Sequence, residues 1–377
     1  MLEAYQSLLT RLRQDESAWP EVAHHAIYHE DERMEDPHYR QRYGLLLCLQ
    51  YDRRDEDDAL VRYLLQEESK SRLNDPFQGE SSAVLLAAYL LSCRRQIGDV
   101  WLLWQAKSAN FDTFCAVDTM YLFAAGIGET LDYLKASDRS EASDLLQFLF
   151  HDPANPAIPT AEELEQFWQQ KQQAYPTDPS QEDPLTLARR AWELDQIEEG
   201  RRWLDRWQAQ QPGTERTLHT LMYTRGMLGQ PAQALVCANR LLEMAGTDVW
   251  KQASAQFEAG RRAVEAAEFE QAWKMLEQTV KGFQMHPERH FLGQHIATLE
   301  LALNIGQAAP PEHPLRHKAL QQTHALIEQG FSTSYNILKG MSDLAGALEE
   351  TVLARRYQDL AAAERRRIDR RLAGESE

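Results

Sequence analysis

The feature that most narrows what this chain can fold into is a stretch that repeats itself. Leu187–Gly213 laid over Leu221–Thr247 with a shift of 34 residues brings the punctuation into coincidence. Leu187 falls on Leu221, Asp195 on Gly229, Gly200 on Ala234, Leu204 on Ala238 and Pro212 on Gly246. Each copy reads as an apolar-periodic helix, a short break (Asp195-Gln196 or Gly229-Gln230), a second helix with a small residue near its start, and a terminator. Small residues at Gly200 and Ala234 suit a close helix crossing, where a bulkier side chain would hold the axes apart. A repeat of this length signals a stacked array whose units cannot bury their apolar faces alone.

This spacing, with its order of small and large residues, resembles the tetratricopeptide repeat. A third hairpin follows, with Gly260, Phe269 and Ala272 at the family's small, aromatic and small positions. Ala234 to Ala272 spans 38 residues, one helical turn more than the first interval. The chain departs from the family in its first helices. Pro184 and Ala191, then Leu218 and Arg225, stand where Trp and Tyr are usual, and Trp207 stands where Ala is preferred. The resemblance covers about 180–285 and implies an all-α fold: an α-solenoid, or superhelix, of antiparallel helix pairs. It also implies that the first helix of each pair lines a concave groove. The inward positions are then Arg189 and Trp192 in the first copy, and Arg216, His219 and Tyr223 in the second. Arginine beside aromatics suits a peptide carboxylate or an acidic segment, because the guanidinium offers a planar fork of donors. The competing assignment for Trp192 and Tyr223 is packing between repeats.

The rest of the 377-residue chain agrees with helix. Leu, Ala, Glu, Gln and Arg dominate over Val, Ile and Thr, and no alternating run flanked by hairpin-turn dipeptides appears. A net charge of −18 repels phosphate backbones, which makes nucleic acid an unlikely partner. The four cysteines are scattered through apolar segments with no Cys-x-x-Cys pair, so buried thiols in a reducing compartment are expected. No basic stretch followed by an apolar core opens the chain, and no apolar run reaches the ~20 residues of a membrane span. A cytoplasmic protein follows.

Prolines organise the chain. Four divisions are expected: an N-terminal helical domain over 1–150, a Pro-rich linker with one helix over 151–184, repeats over 185–305, and C-terminal helices over 306–377. The last of these ends in one long Arg-rich helix from about Leu344 to Leu372.

Other residues carry possible chemistry. His25 and His29 lie one turn apart if helical and, with Glu30, could bind an ion. The alternative is a solvated polar face, and the expected metal and cofactor complement is none. Trp101 to Cys115 mixes Trp101, Trp104, Phe111 and Phe114 with Lys107, Asn110 and Asp112. That is the make-up of an aromatic-lined pocket or, with Lys107 and Asp112 as a surface pair, of ordinary core. The arginines of the last helix, diluted by Asp359, Glu364 and Asp369, could grip an anion or pair with the protein's own acids. No nucleophile elbow, phosphate loop or dinucleotide fingerprint is present. The reading is a non-enzymatic interaction protein that binds a peptide or partner in a helical-repeat groove. The alternative is an enzyme, metal or small-ligand protein using the N-terminal half, and the oligomeric state is left open.

Overall fold

The structure, a computed structural model, describes residues 2–29, 34–74, 79, 81–151, 157–285 and 292–372. Among them are nineteen α-helices, five short 3-10 segments and one pair of two-residue strands, so the chain is all-α. No described helix is long and apolar enough to cross a membrane. Contacts divide the chain into two compact units, Met1–Glu199 and Gly200–Glu377.

Unit 1 runs through α1 (Glu3–Gln14), α2 (Tyr39–Tyr51), α3 (Asp58–Asn74), α4 (Ser82–Ser92), α5 (Val100–Lys107), α6 (Phe111–Ala116), α7 (Ile127–Lys135), α8 (Ser140–Leu149), α9 (Ala161–Ala174) and α10 (Pro184–Glu193). The run YGLLLCLQY that ends α2 and the run AVLLAAYLL of α4 carry apolar residues around the helix, and α2 from Arg42 to Gln50 and nearly all of α4 are buried. α1 crosses α2 at Gly44, where any β-carbon would overlap the Tyr5 ring. α9, expected inside a linker, sets Phe167 and Trp168 into the same core.

Unit 2 opens within α11 (Ile197–Gln208) and then pairs its helices. α12 (Glu215–Met227) packs on α13 (Pro231–Met244), and α14 (Val249–Glu265) on α15 (Phe269–Met285). α16 (Leu292–Ala308) packs on α17 (Leu315–Glu328), and α18 (Tyr335–Ala347) on α19 (Thr351–Leu372). First helices also meet, α14 touching α16 and α16 touching α18. Thr214, Asp248 and Ser334 each cap a first helix by accepting a backbone N–H from its first turn.

One closure recurs between consecutive helices. Asp195, Gly229, Ala267 and Glu349 take φ of 61°, 65°, 59° and 61°. The next residue then donates its N–H back across the helix end: Gln196 to Ala191, Gln230 to Arg225, Glu268 to Ala263 and Glu350 to Ala345, at 2.7, 2.8, 2.8 and 2.9 Å. This left-handed cap satisfies carbonyls that the helix end would otherwise leave open. The sequence equivalence of Asp195 and Gly229 is therefore one backbone conformation adopted twice.

Two expectations fail. The last helix does not run on from Leu344: Leu344 belongs to α18, and the left-handed Glu349 breaks the chain before α19. A strand pair exists after all, with Ile27–Tyr28 antiparallel to Met34–Glu35.

Two substitutions test this packing by urea denaturation of the full chain. Ala267→Gly should raise stability, by at most about 1 kcal/mol, because a Cβ in the left-handed region costs roughly 1–2 kcal/mol and glycine returns part of that as entropy. Gly306→Val should lower it by about 1–3 kcal/mol, since its β-carbon would lie 2.8 Å from both Ala319 Cβ and Leu344 Cδ2.

Candidate functional site

Within unit 1, the first residues of α2 (Tyr39, Arg40) and of α4 (Ser82, behind its cap Ser81) meet the last residues of α10 (Trp192, Glu193). They enclose a cleft of about 580 Å³ whose wall also includes Glu35, Asp36, Arg72 and Asp195. Ser81 holds φ of 66°, an unusual conformation for a residue with a side chain. In it the hydroxyl caps α4 by accepting from Ala83 N and donates to Glu68 Oε2 at 3.2 Å.

A buried ionic network adjoins the wall at Asp36. Arg42, fully enclosed, donates to Glu68 Oε1 at 2.6 Å, to Asp36 Oδ2 at 2.5 Å and to the Val22 carbonyl at 3.1 Å. His24 Nδ1 lies 2.9 Å from the same Asp36 oxygen. Glu67 takes the His24 N–H at 2.8 Å and the Lys70 ammonium at 2.5 Å. Further in, Glu182 accepts from Gln50, Tyr51 and Arg190 at 2.8, 2.8 and 2.6 Å. Burial pushes the Asp36 carboxyl up, but the Arg42 and His24 bonds more than offset this and hold it below the usual range.

Glu193 differs from these acids. Its Oε2 accepts from the Tyr39 hydroxyl at 2.9 Å and its Oε1 from the Ser82 hydroxyl at 2.8 Å. Among the described residues no cation comes within ion-pair distance of it. Burial outweighs both hydroxyls and the more distant Arg190 charge and raises its pKa, and the Tyr39 phenol is pushed up by burial and by the facing carboxylate.

A second cleft in unit 1, of about 570 Å³, lies along α5 and is lined by Trp101 and Trp104 among others. There Arg62 pairs with Asp99 at 2.6 Å, and Arg139 sits 5.3 Å over the Trp101 ring. The polar residues expected to serve an aromatic pocket here lie off its wall. Lys107 is buried and donates to the Phe114 and Val117 carbonyls at 2.6 and 2.7 Å, with burial lowering its pKa. Asn110 accepts the Thr113 N–H at 2.7 Å as the α6 cap, and Asp112 is half-buried in the first turn of that helix.

The residues singled out in the repeats are exposed. Arg189 and Trp192 stand on α10 in unit 1. Arg216, His219 and Tyr223 share one face of α12 in unit 2. Tyr223 places its hydroxyl 3.5 Å from Glu258, with the Arg262 guanidinium 5.1 Å over its ring. On the neighbouring first helices, Arg261, Glu265, Asn304 and Gln307 line a hollow of about 440 Å³.

The helical premise of a His25/His29 metal site fails. The 3-10 segment containing Pro20 ends at Val22, and the chain then runs extended into the strand pair. His29 Nε2 pairs with Glu35 at 2.9 Å and the His25 ring lies tilted beside that of His38, while Glu30 lies outside the described residues. Among the described residues no three potential ligands are placed to hold a metal. On α19, Arg356, Arg365 and Arg367 pair with Glu328, Asp369 and Glu364.

Sequence reasoning named Trp192 for a repeat groove rather than for this cleft, and did not name Tyr39, Ser82 or Glu193. They come from three distant segments, and a lone Glu at a helix end reads as surface. No protein-family model matches the chain, and no curated protein is similar to it.

The network yields two measurable consequences. Arg42→Ala strands Asp36 and Glu68 without their cation and should cost about 3–5 kcal/mol in denaturant unfolding. Glu193 has a folded pKa above its ordinary 4.5. Its contribution to stability is therefore complete below that value and lost as pH rises through the folded one. Glu193→Gln should accordingly gain stability relative to the parent as pH is raised from about 4 to 8.

Proposed function

We propose that this chain is a non-catalytic interaction protein, whose unit 2 is a tetratricopeptide-like stack of helical hairpins that holds a peptide or partner protein along its first helices. The observation that carries this reading is the repeated left-handed closure at Gly229, Ala267 and Glu349, joined to the contacts of α14 with α16 and of α16 with α18. Hairpins closed alike and touching through their first helices are the arrangement in which a repeat array builds a continuous binding face. Side chains on that face suit recognition. Arg216, His219 and Tyr223 on α12 are exposed, and the hollow beside Asn304 and Gln307 continues a surface of hydrogen-bonding groups. The arginines favour a partner segment bearing carboxylates.

The double variant Arg216→Glu with Tyr223→Ala tests the reading. Both residues are exposed, so circular dichroism and melting should be unchanged, while retention of carboxylate-bearing partner segments should fall about tenfold or more. Undiminished retention by the folded variant would overturn it.

A further inference from the structure

We propose that the cleft between the ends of α2, α4 and α10 in unit 1 binds a planar organic cation, a guanidinium group, with Glu193 as its anchor and Trp192 as the face it lies against. This site is separate from the α12 surface and does not depend on the repeat reading.

The first support is how acids are matched to cations. Asp36 and Glu68 share Arg42, Glu67 holds Lys70, and Glu182 holds Arg190. Glu193, on the cleft wall, is held by two neutral hydroxyls instead. Each of its oxygens spends one acceptor position on a hydroxyl, and an ionised carboxylate oxygen has two. One position on each oxygen thus remains, which is the spacing a guanidinium fork reads in bidentate fashion. Hydroxyls are also adjustable partners, since they can rotate as charge arrives.

The second support is the wall. Trp192 is 40% exposed despite being a large indole, and Tyr39 lines the same cleft, stacked on Tyr43 at 6.1 Å between centroids. An aromatic face beside a carboxylate is suited to a delocalised cation, which gains from the ring quadrupole as well as from the charge. The third is sign. Of the acids on the lining, Asp36 is engaged by Arg42, Glu35 by His29 at 2.9 Å and Asp195 by Arg40 at 3.2 Å, so the carboxylate left for a ligand is that of Glu193. A phosphate or carboxylate ligand would meet Glu193 unfavourably, whereas a cation relieves the burial of that carboxyl.

Guanidinium groups come from free metabolites and from arginine side chains, and two titrants separate these sources. Calorimetry with agmatine, and with the blocked peptide acetyl-Gly-Arg-Gly-amide, should give saturable binding of at least one to the full chain. Agmatine alone binding indicates a small-molecule site, and the peptide binding as well or better indicates an arginine of a partner protein. In either case Glu193→Gln should weaken binding by about tenfold or more. Trp192→Ala, which alters an exposed residue and should leave melting unchanged, should weaken it several-fold and decides the matter if the Glu193 variant does not fold. No saturable heat from either titrant at millimolar concentration, or binding that both variants leave intact, would overturn the assignment. So would preferential binding of inorganic phosphate.

Discussion

Two helices laid side by side bury only the seam between them, and each keeps an apolar stripe that a further element must cover. In unit 2 this is solved by close approach. Gly260 on α14 faces Met275 of its own partner helix and Leu301 of α16, and Gly306 on α16 faces Ala319 of its partner and Leu344 of α18. The same first helix therefore packs within its hairpin and onto the next, through residues whose small size allows both. Everything proposed for the outer face of α12, α14 and α16 depends on that inner packing, because it sets which side of each first helix is left to solvent.

Unit 1 depends on a different solution. Its central helices are apolar all round, and the polar groups brought in with them are neutralised locally. Arg42 is buried at the cost of desolvation and serves two carboxylates and a carbonyl at once. That pairing is what makes Glu193 stand out: beside acids that carry cations, it is hydrogen-bonded, among the described residues, by the Tyr39 and Ser82 hydroxyls.

How much of this could be read beforehand varied with the physics involved. Gly229 announces its left-handed turn because glycine adopts that conformation freely, and the alignment then carried Asp195 with it. Glu349 takes the same conformation with no such signal, so the break before α19 was invisible and Leu344 was placed in the wrong helix. The aromatic density around Trp101 left core and pocket open: Trp101 packs in the core and also edges a cleft, while Lys107 and Asn110 turn inward, where carbonyls and a helix end need donors and a cap. The Glu193 site depends on residues more than a hundred positions apart, and no local pattern links them.

Hydrogen exchange across unit 2 of the intact chain tests most directly whether its hairpins hold one another in place. A stack stabilised by neighbours should protect the amides of α14 to α17 longest, with protection falling toward α12 on one side and the far end of α19 on the other. Exchange of α14 to α16 ahead of those ends would contradict it, since helices covered on two sides cannot open before those covered on one.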